Sequence, residues 1–403
     1  MTTATTMTDA SLDAVVEQFL AAAHHNDDDV VGLLGAQYDA GLAWPHFSPG
    51  WGGLGTSREA TRRVRDRLRE AAIPASRAGF VGLNQAATLI HDHGSDEHKT
   101  RFLRRIFTGE DQWCQLFSEP GAGSDLANVA TMAVAEDAGW RVSGQKVWTS
   151  NAHHADFALL LARTDPAERK HRGMSLFIVD MSDPGVDVRR LRQADGGGRF
   201  SEVFLDNVAV AGDFLLGDPG QGWALSMHIL TTERDGAGGV FLRPIDDVLD
   251  LWRARRGAHT SPAALRDDVI KLWIESRVVA LSSRRQRTTT DPREAAVLGS
   301  LAKIAASEHS QRYSELMAVI IGPDVLIDAD YDEAFAEDAD PDSAVSKDFG
   351  ALSAHRFVLR TRAMSIEGGT NEISRNLIGE RTLGLPPDIR VDKDIAWRDL
   401  PKS

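Results

Sequence analysis

Residues 115–131 read QLFSEPGAGSDLANVAT, and this stretch decides how the rest of the chain is interpreted. Ser118 and Glu119 precede a proline turn, and Gly121 and Gly123 follow it. Glycine lets the backbone approach a bound molecule closely, and exposed amides can hold an anion. A tight β-turn with a serine or Asx cap explains the stretch equally well by itself. Whether the stretch is a ligand-binding turn or an ordinary β-turn therefore depends on the segments on either side.

The segments on either side differ in their hydrophobic period. Up to about residue 104, apolar residues recur at three-to-four spacing, as in SLDAVVEQFLAAA (11–23), which predicts helices. After Gly109, short runs such as TMAVAEDAGWRVSGQKVWTS (131–150) predict strands, with a hairpin around residues 137–139. Long amphipathic helices return from about Gln221 and favour a helical bundle.

This order predicts a multidomain α+β fold. We expect an N-terminal helical domain over residues 1–110, a middle antiparallel β-barrel or sandwich domain over residues 111–218, and a C-terminal helical bundle over residues 219–403.

Charge and cysteine content argue against several classes of protein. The formal charge of -14 disfavours a nucleic-acid-binding protein, which needs clustered Lys and Arg. Cys114 is the single cysteine, so neither an intrachain disulfide nor a thiolate metal cluster can form. Adjacent histidine pairs diverge in space, so we expect no metal site. The chain shows neither a signal peptide nor eighteen consecutive apolar residues, and we expect a cytoplasmic protein without a membrane span.

Two further segments carry side chains suited to a cofactor. In GQKVWTSNAHHAD (144–156), Trp148 and Ser150 can face the same side of a strand and offer a flat ring and a hydroxyl to an isoalloxazine. A core tryptophan beside a strand-end serine is the alternative. In SIEGGTNEISRNLIGERTLGLP (365–386), a glycine turn leads into a helix near Thr370, whose amides could cradle a diphosphate or ribose. A plain helix cap at Thr370 is the alternative there.

Taken together, these segments resemble the acyl-CoA dehydrogenase family. LFSEPGAGSDLA, KVWTSNAHHAD, GQGWALSMHILTTER (220–234) and GGTNEISRNLIGERTLGLP occur in the family's order, and the resemblance runs from about residue 82 to 386. It implies a four-helix bundle as the C-terminal domain, FAD as cofactor, and a homodimer or homotetramer. It also implies an acyl-CoA or acyl carrier protein-linked substrate and an electron transfer flavoprotein as the electron acceptor.

The resemblance also implies where FAD binds. Phe117, Ser118, Trp148 and Ser150 would lie against the flavin, with both serines hydrogen-bonding its polar edge. Gly123 would belong to the same cofactor-binding set, and Ser124 would lie nearer the pantetheine arm. Thr370 and Glu372 would hold the adenosine portion, in a site that a neighbouring subunit completes.

Family members form a 2,3-double bond in the acyl group. A carboxylate removes the proton next to the thioester carbonyl, and flavin N5 accepts the hydride from the next carbon. A dry cavity makes that carboxylate a competent base. The carbonyl would be held by the flavin ribityl hydroxyl and the backbone amide of Gly368.

The identity of the base departs from the commonest family pattern. Many members have Glu-Gly-Thr in the C-terminal signature, whereas Gly368 occupies the glutamate position here and Glu367 lies one residue early. A branch of the family carries its base on the active-site helix directly before an arginine. Glu233 and Arg234 match those positions, so we expect Glu233 as the base and Arg234 as a positioning group for the carboxylate or thioester. A solvated helix-face carboxylate is the alternative for Glu233.

Two other functions are compatible with the same fold. Some relatives are flavin-dependent monooxygenases or oxidases, but these usually lack the helix glutamate. Another possibility is a non-catalytic subunit of a hetero-oligomeric dehydrogenase, which the intact flavin motifs argue against.

Overall fold

The computed structural model describes residues 9–23, 29–230, 243–255, 262–289, 291–327, 331, 335, 354–387, 389, 392 and 394–400. The chain forms two compact units. The first comprises residues 1–120, 129–189 and 202–226, and the second comprises residues 121–128, 190–201 and 227–403. The first unit therefore groups the N-terminal helices with most of the strands. The domain boundaries after residues 110 and 218 stay a prediction.

Helices form the N-terminal part of the first unit, as its period predicts. They are α1 (Asp9–Ala22), α2 (Val30–Asp39), α3 (Arg58–Glu70), a π-helical turn (Val81–Ala86), α4 (Ala87–His93) and α5 (Asp96–Thr108). Ser57 and Ser95 cap α3 and α5, each accepting a backbone N–H of the first turn. Gly109 ends α5 in the left-handed conformation. The apolar faces of α1 and α3 share a core that includes Leu12 and Val64.

Eight strands form a sheet within the described residues. They are β1 (Trp113–Leu116), β2 (Met132–Glu136), β3 (Gly139–Ser150), β4 (Phe157–Arg163), β5 (Met174–Asp180), β6 (Val186–Leu191), β7 (Phe200–Ala211) and β8 (Leu215–Leu216). Their order is β6-β7-β3-β2-β4-β5-β8, with β1 beside β4.

The sheet mixes both strand directions. The β2–β3 hairpin is antiparallel and pairs Glu136 with Gly139, so the hairpin predicted around residues 137–139 is confirmed. The pairs β4–β5 and β5–β8 are also antiparallel, whereas β1 runs parallel to β4. Every residue of β5 before Asp180 is buried, which places this strand in the core of the sheet.

A helical bundle forms most of the second unit. It contains α6 (Ile245–Arg255), α7 (Pro262–Thr288), α8 (Pro292–Ile321), α9 (Ala354–Arg360) and α10 (Asn371–Arg381). Val269 and Leu272 of α7, Tyr313 of α8 and Phe357 of α9 share one apolar core. Burial of apolar side chains in this core supplies most of the stability of these helices. Throughout the part of the chain that the structure describes, each helix is too short or too polar to cross a membrane.

Candidate functional site

Strand β3 contains a local irregularity that sets the direction of Trp148. Lys146 and Val147 are consecutive and both buried, which breaks the strand's alternation. Trp148 then takes a φ of 60°, an unusual value for an aromatic residue, and the residue is 62% exposed. Ser150 is exposed two residues on, with the buried Thr149 between them. Trp148 and Ser150 therefore face the same side, as predicted, and the alternative of a core tryptophan is wrong.

The turn that follows β1 lies beside this irregularity. The backbone N–H of Val147 donates to the carbonyl oxygen of Ser118 at 2.9 Å. Phe117 is buried behind the turn and Ser118 is half-buried. We call Ser118, Trp148 and Ser150 together the indole face. The hydrogen bond between Val147 and Ser118 thus places three of the predicted cofactor residues close together in the first unit: Ser118 is bonded to the residue before Trp148, and Ser150 lies two residues further along β3.

A buried ion pair supports the indole face, and the sequence motifs do not indicate this pair. Lys146 is fully buried, and its ammonium donates to Glu119 Oε1 at 2.7 Å, to the Phe117 carbonyl at 3.0 Å and to the Leu161 carbonyl at 2.7 Å. The carboxylate of Glu119 also accepts the backbone N–H groups of Ala130 (2.6 Å) and Thr131 (2.9 Å). Both residues stood inside the quoted motifs, but no sequence rule pairs them.

Burial shifts the protonation equilibria of this pair. Desolvation lowers the pKa of Lys146 to about 8, although the neighbouring carboxylate of Glu119 opposes the shift. Desolvation raises the pKa of Glu119, but the Lys146 ammonium and the hydrogen bonds that Glu119 accepts outweigh it, so the net pKa lies below the usual range. The pair is therefore ionised near neutral pH.

The indole face has the chemistry that a flavin requires. The exposed indole of Trp148 offers a flat apolar ring against which another aromatic ring can stack. The hydroxyls of Ser118 and Ser150 can bond the polar edge of a heteroaromatic ring. Asn151 follows at a φ of 55°, and its Oδ1 is a buried acceptor without a hydrogen-bond partner among the described residues. These residues therefore fit an isoalloxazine.

The other predicted cofactor residues belong to the second unit. Gly123 and Ser124 are exposed in a loop, and a Cβ added at Gly123 would meet no atom within 4 Å. Thr370 caps α10, its Oγ1 accepting the N–H of Ile373 at 3.1 Å, so the helix begins where the sequence predicts. Thr370 is therefore a helix N-cap, and its hydroxyl hydrogen can still donate to a ligand. Glu372 is exposed beside Arg375.

The turn before α10 has a backbone conformation that requires glycine. Gly368 and Gly369 have φ values of 63° and 88°, which favour glycine over any other residue. After the turn, Asn371 is buried and its Oδ1 accepts Lys303 Nζ at 2.8 Å and Ser307 Oγ at 2.9 Å. No local signal in the sequence indicates this contact with α8, because nothing near Asn371 distinguishes it from a surface residue.

Of the two candidate bases, Glu367 and Glu233, the structure describes the first. The carboxylate of Glu367 accepts two hydrogen bonds from Nη2 of the buried Arg360, at 2.7 and 3.0 Å. Glu367 is therefore engaged in a structural ion pair. Glu233 and its neighbour Arg234 lie outside the described residues.

Two cavities of about 480 and 460 Å³ lie in the first unit. Arg101 and Asp156 are among the residues that line the larger cavity, and Trp140 and Arg172 are among those that line the smaller. Neither cavity contains a predicted site residue, so the chemistry of the indole face, rather than cavity size, identifies the site.

Comparison with protein-family models gives three matches that follow one another along the chain. They are the acyl-CoA dehydrogenase N-terminal domain over residues 2–110, the middle domain over residues 114–208 and the C-terminal domain over residues 220–383.

Individual relatives agree with the family models. Acyl-CoA dehydrogenase FadE34 of Mycobacterium tuberculosis is 37% identical over 353 residues, which are 86% of this chain but 45% of FadE34. This chain thus spans less than half the length of that relative. Acyl-CoA dehydrogenase IpdE1 of the same organism is 33% identical over 87% of this chain and 85% of its own. The solved Tcur3481-Tcur3483 steroid ACAD is 21% identical, covers 94% of this chain and 99% of its own, and has a TM-score of 0.70, which shows a shared fold.

Proposed function

Because the chain belongs to the acyl-CoA dehydrogenase family, and is therefore an FAD-containing oxidoreductase acting on a CH–CH group, we propose that it converts an acyl-CoA thioester to the trans-2-enoyl-CoA with Glu233 as the base. The ion pair between Glu367 and Arg360 is the observation that supports this choice of base.

The alternative base is poorly suited to proton removal. Taking up a proton would cost Glu367 the two charge-assisted hydrogen bonds from Arg360. Gly368, which stands where many relatives carry the base, has no side chain at all. Glu233 is then the carboxylate that the sequence offers at a family base position, and Arg234 positions it or the thioester.

We further infer which residues hold FAD. Phe117, Ser118, Trp148 and Ser150 hold the flavin, Gly123 lets its loop approach, and Ser124 lies nearer the pantetheine arm. Thr370 and Glu372 hold the adenosine portion, and the amide of Gly368 donates to the thioester carbonyl. FAD, when bound, would supply the acceptor for the hydride from the β-carbon, and we infer that an electron transfer flavoprotein in the cytoplasm takes up the electrons.

Self-association of the chain is supported by α7, which is apolar on two opposite sides. One side is buried against the bundle and includes Leu265, Val269 and Leu272. The opposite side carries five exposed apolar residues, each between 40% and 65% exposed, which we call the outer stripe: Ile270, Trp273, Ile274, Val278 and Leu281. A run of exposed apolar side chains along one face of a helix marks an interaction surface, so the outer stripe calls for a partner.

The ends of the outer stripe indicate that the partner is a second copy of this chain. Asp267 lies one turn before Ile270 and Arg284 one turn after Leu281, so the two charges flank the ends of the outer stripe, and within the chain Asp267 also contacts Arg266 Nη2 at 3.5 Å. When two copies of α7 pack antiparallel about a twofold axis, each Asp267 meets the Arg284 of the other copy. We therefore place an isologous interface along the outer stripe.

Anaerobic mixing tests the assignment of the base. The flavin absorbance is followed after straight, branched and cyclic acyl-CoA thioesters are added to the FAD-loaded wild type, Glu233→Gln and Glu367→Gln. We expect Glu233→Gln to retain FAD but to lose bleaching by about 10²-fold or more, because a positioned general base contributes at least that much. Glu367→Gln, the matched control, is expected to keep bleaching.

Rapid bleaching of Glu233→Gln together with loss in Glu367→Gln would transfer the role to Glu367. A wild type that binds FAD but is bleached by none of the thioesters would favour a monooxygenase, an oxidase or a non-catalytic subunit instead.

A further inference from the structure

The proposed proton removal makes no use of the ion pair between Lys146 and Glu119. Even so, the ion pair joins four segments of the first unit, namely the turn after β1, the residues before β2, β3 itself and β4, through five hydrogen bonds of 2.6–3.0 Å. All three ammonium hydrogens of Lys146 have an acceptor. We call this arrangement the lysine clamp.

Stability by itself does not explain the lysine clamp. Removing two charges from water costs several kcal/mol per ion, and replacing a buried ion pair by apolar groups of similar volume is often neutral or stabilising. A fully satisfied buried network does, however, hold its members in one geometry. The question is therefore which groups the lysine clamp orients.

The oriented groups are those of the indole face. Lys146 bonds the carbonyl of Phe117, which fixes the peptide that leads into Ser118. The next residue, Val147, bonds the carbonyl of Ser118. The residue after that is Trp148, which the consecutive burial of Lys146 and Val147 turns outward at a φ of 60°.

We propose that the lysine clamp is a positioning device for FAD, in which Lys146 and Glu119 hold Ser118 and Trp148 in the arrangement that receives the isoalloxazine. This inference rests on the placement of the flavin on the indole face proposed above, but not on the identity of the base or of the acyl substrate. Lys146 and Glu119 act through the backbone and the indole face, and neither touches the reacting atoms.

The test separates positioning from folding by removing both charges together. Lys146→Met alone leaves an unpaired buried carboxylate, so the informative protein is the double variant Glu119→Gln/Lys146→Met. We expect its thermal midpoint to stay close to that of the wild type. Its affinity for FAD, measured by titrating the full-length apoprotein, should fall by about 10- to 100-fold, by analogy with metal sites that lose the groups orienting their ligands.

Two further readouts report on the flavin and not on folding. The visible spectrum and the midpoint potential of residual bound FAD should shift, because the polar edge of the ring loses its aligned donors. The matched control is Arg105→Met/Asp111→Asn, which removes an ion pair of 2.7 Å with a buried carboxylate beyond the opposite end of β1. It is expected to leave the affinity, spectrum and potential unchanged.

A conservative pair of variants keeps the test decisive should the double variant misfold. Glu119→Gln retains an acceptor for Lys146, whereas Glu119→Ala removes it. Near wild-type FAD affinity in the first and weak affinity in the second are expected.

Equal FAD affinity, spectrum and potential in the wild type and the double variant would overturn the proposal, as would equal affinity in the two Glu119 variants. None of these measurements uses an acyl-CoA. Failure of acyl-CoA bleaching would therefore count against the proposed function and leave this result interpretable.

Discussion

Two glycines near α10 differ in backbone conformation, and that difference predicts opposite effects of the same substitution. Gly369 has a φ of 88°, where a Cβ is strained, so Gly369→Ala is expected to lower the free energy of unfolding by about 1–2 kcal/mol. Gly379 lies within α10, and a Cβ there would meet Leu385 Cδ1 at 3.6 Å, an ordinary contact. Gly379→Ala should therefore raise that free energy by about 0.8–1.0 kcal/mol.

Urea unfolding of the two single variants beside the wild type measures both effects. Gly369→Ala should also weaken FAD binding, because the turn precedes the capped helix start at Thr370. A Gly369→Ala variant that is more stable than the wild type, or a Gly379→Ala variant that is less stable than the wild type by a similar amount, would contradict these expectations.

Side-chain contacts at single residues also decide which carboxylate is available. Glu367 and Glu233 are both glutamates in sequence segments suited to the active site, and a motif cannot rank them by geometry. The contact with Arg360 disfavours Glu367 as the base in the proposed mechanism.

Helix α7 shows how a single element can require a partner. Ile274→Asp places a charge in the middle of the outer stripe, and we expect it to shift the chain to a smaller oligomer in size-exclusion chromatography with light scattering. The matched control is Val319→Asp, because Val319 is also exposed, at 62% against 50% for Ile274, but lies on α8. This control should keep the wild-type mass.

Charge exchange tests the antiparallel arrangement. Asp267→Arg and Arg284→Asp should each weaken association, since each creates two like-charged contacts across the twofold axis. The double exchange restores opposite charges and should recover the wild-type mass. A wild type that is monomeric alone would exclude a second copy as the occupant of the outer stripe.

Acid sensitivity belongs to the molecule as a whole, because the pH dependence of stability sums over its titrating groups. Burial lowers the pKa of His46 to about 4, with smaller contributions in the same direction from Arg58 and His91 and an opposing one from Asp92. The unfolded chain binds a proton at this histidine below about pH 6.5, whereas the folded chain does not until about pH 4.

This group therefore stabilises the fold above pH 6.5, and its contribution is lost as the pH falls from 6.5 to 4. Urea unfolding at several pH values should show that His46→Gln has a shallower loss of stability over this window than the wild type. An unchanged slope in His46→Gln would contradict the assignment.

The sequence alone predicted the order of helices, strands and helices, the β2–β3 hairpin, the start of α10 at Thr370 and the family. These features depend on hydrophobic period, turn residues and contiguous motifs, all of which act over a few neighbouring residues. Only the tertiary structure decided that Trp148 faces outward, that Glu367 pairs with Arg360, and that Lys146 and Glu119 form the lysine clamp. The partners in the lysine clamp are 27 residues apart. Burial and the positive φ of Trp148 likewise follow from packing between elements, which no local pattern specifies.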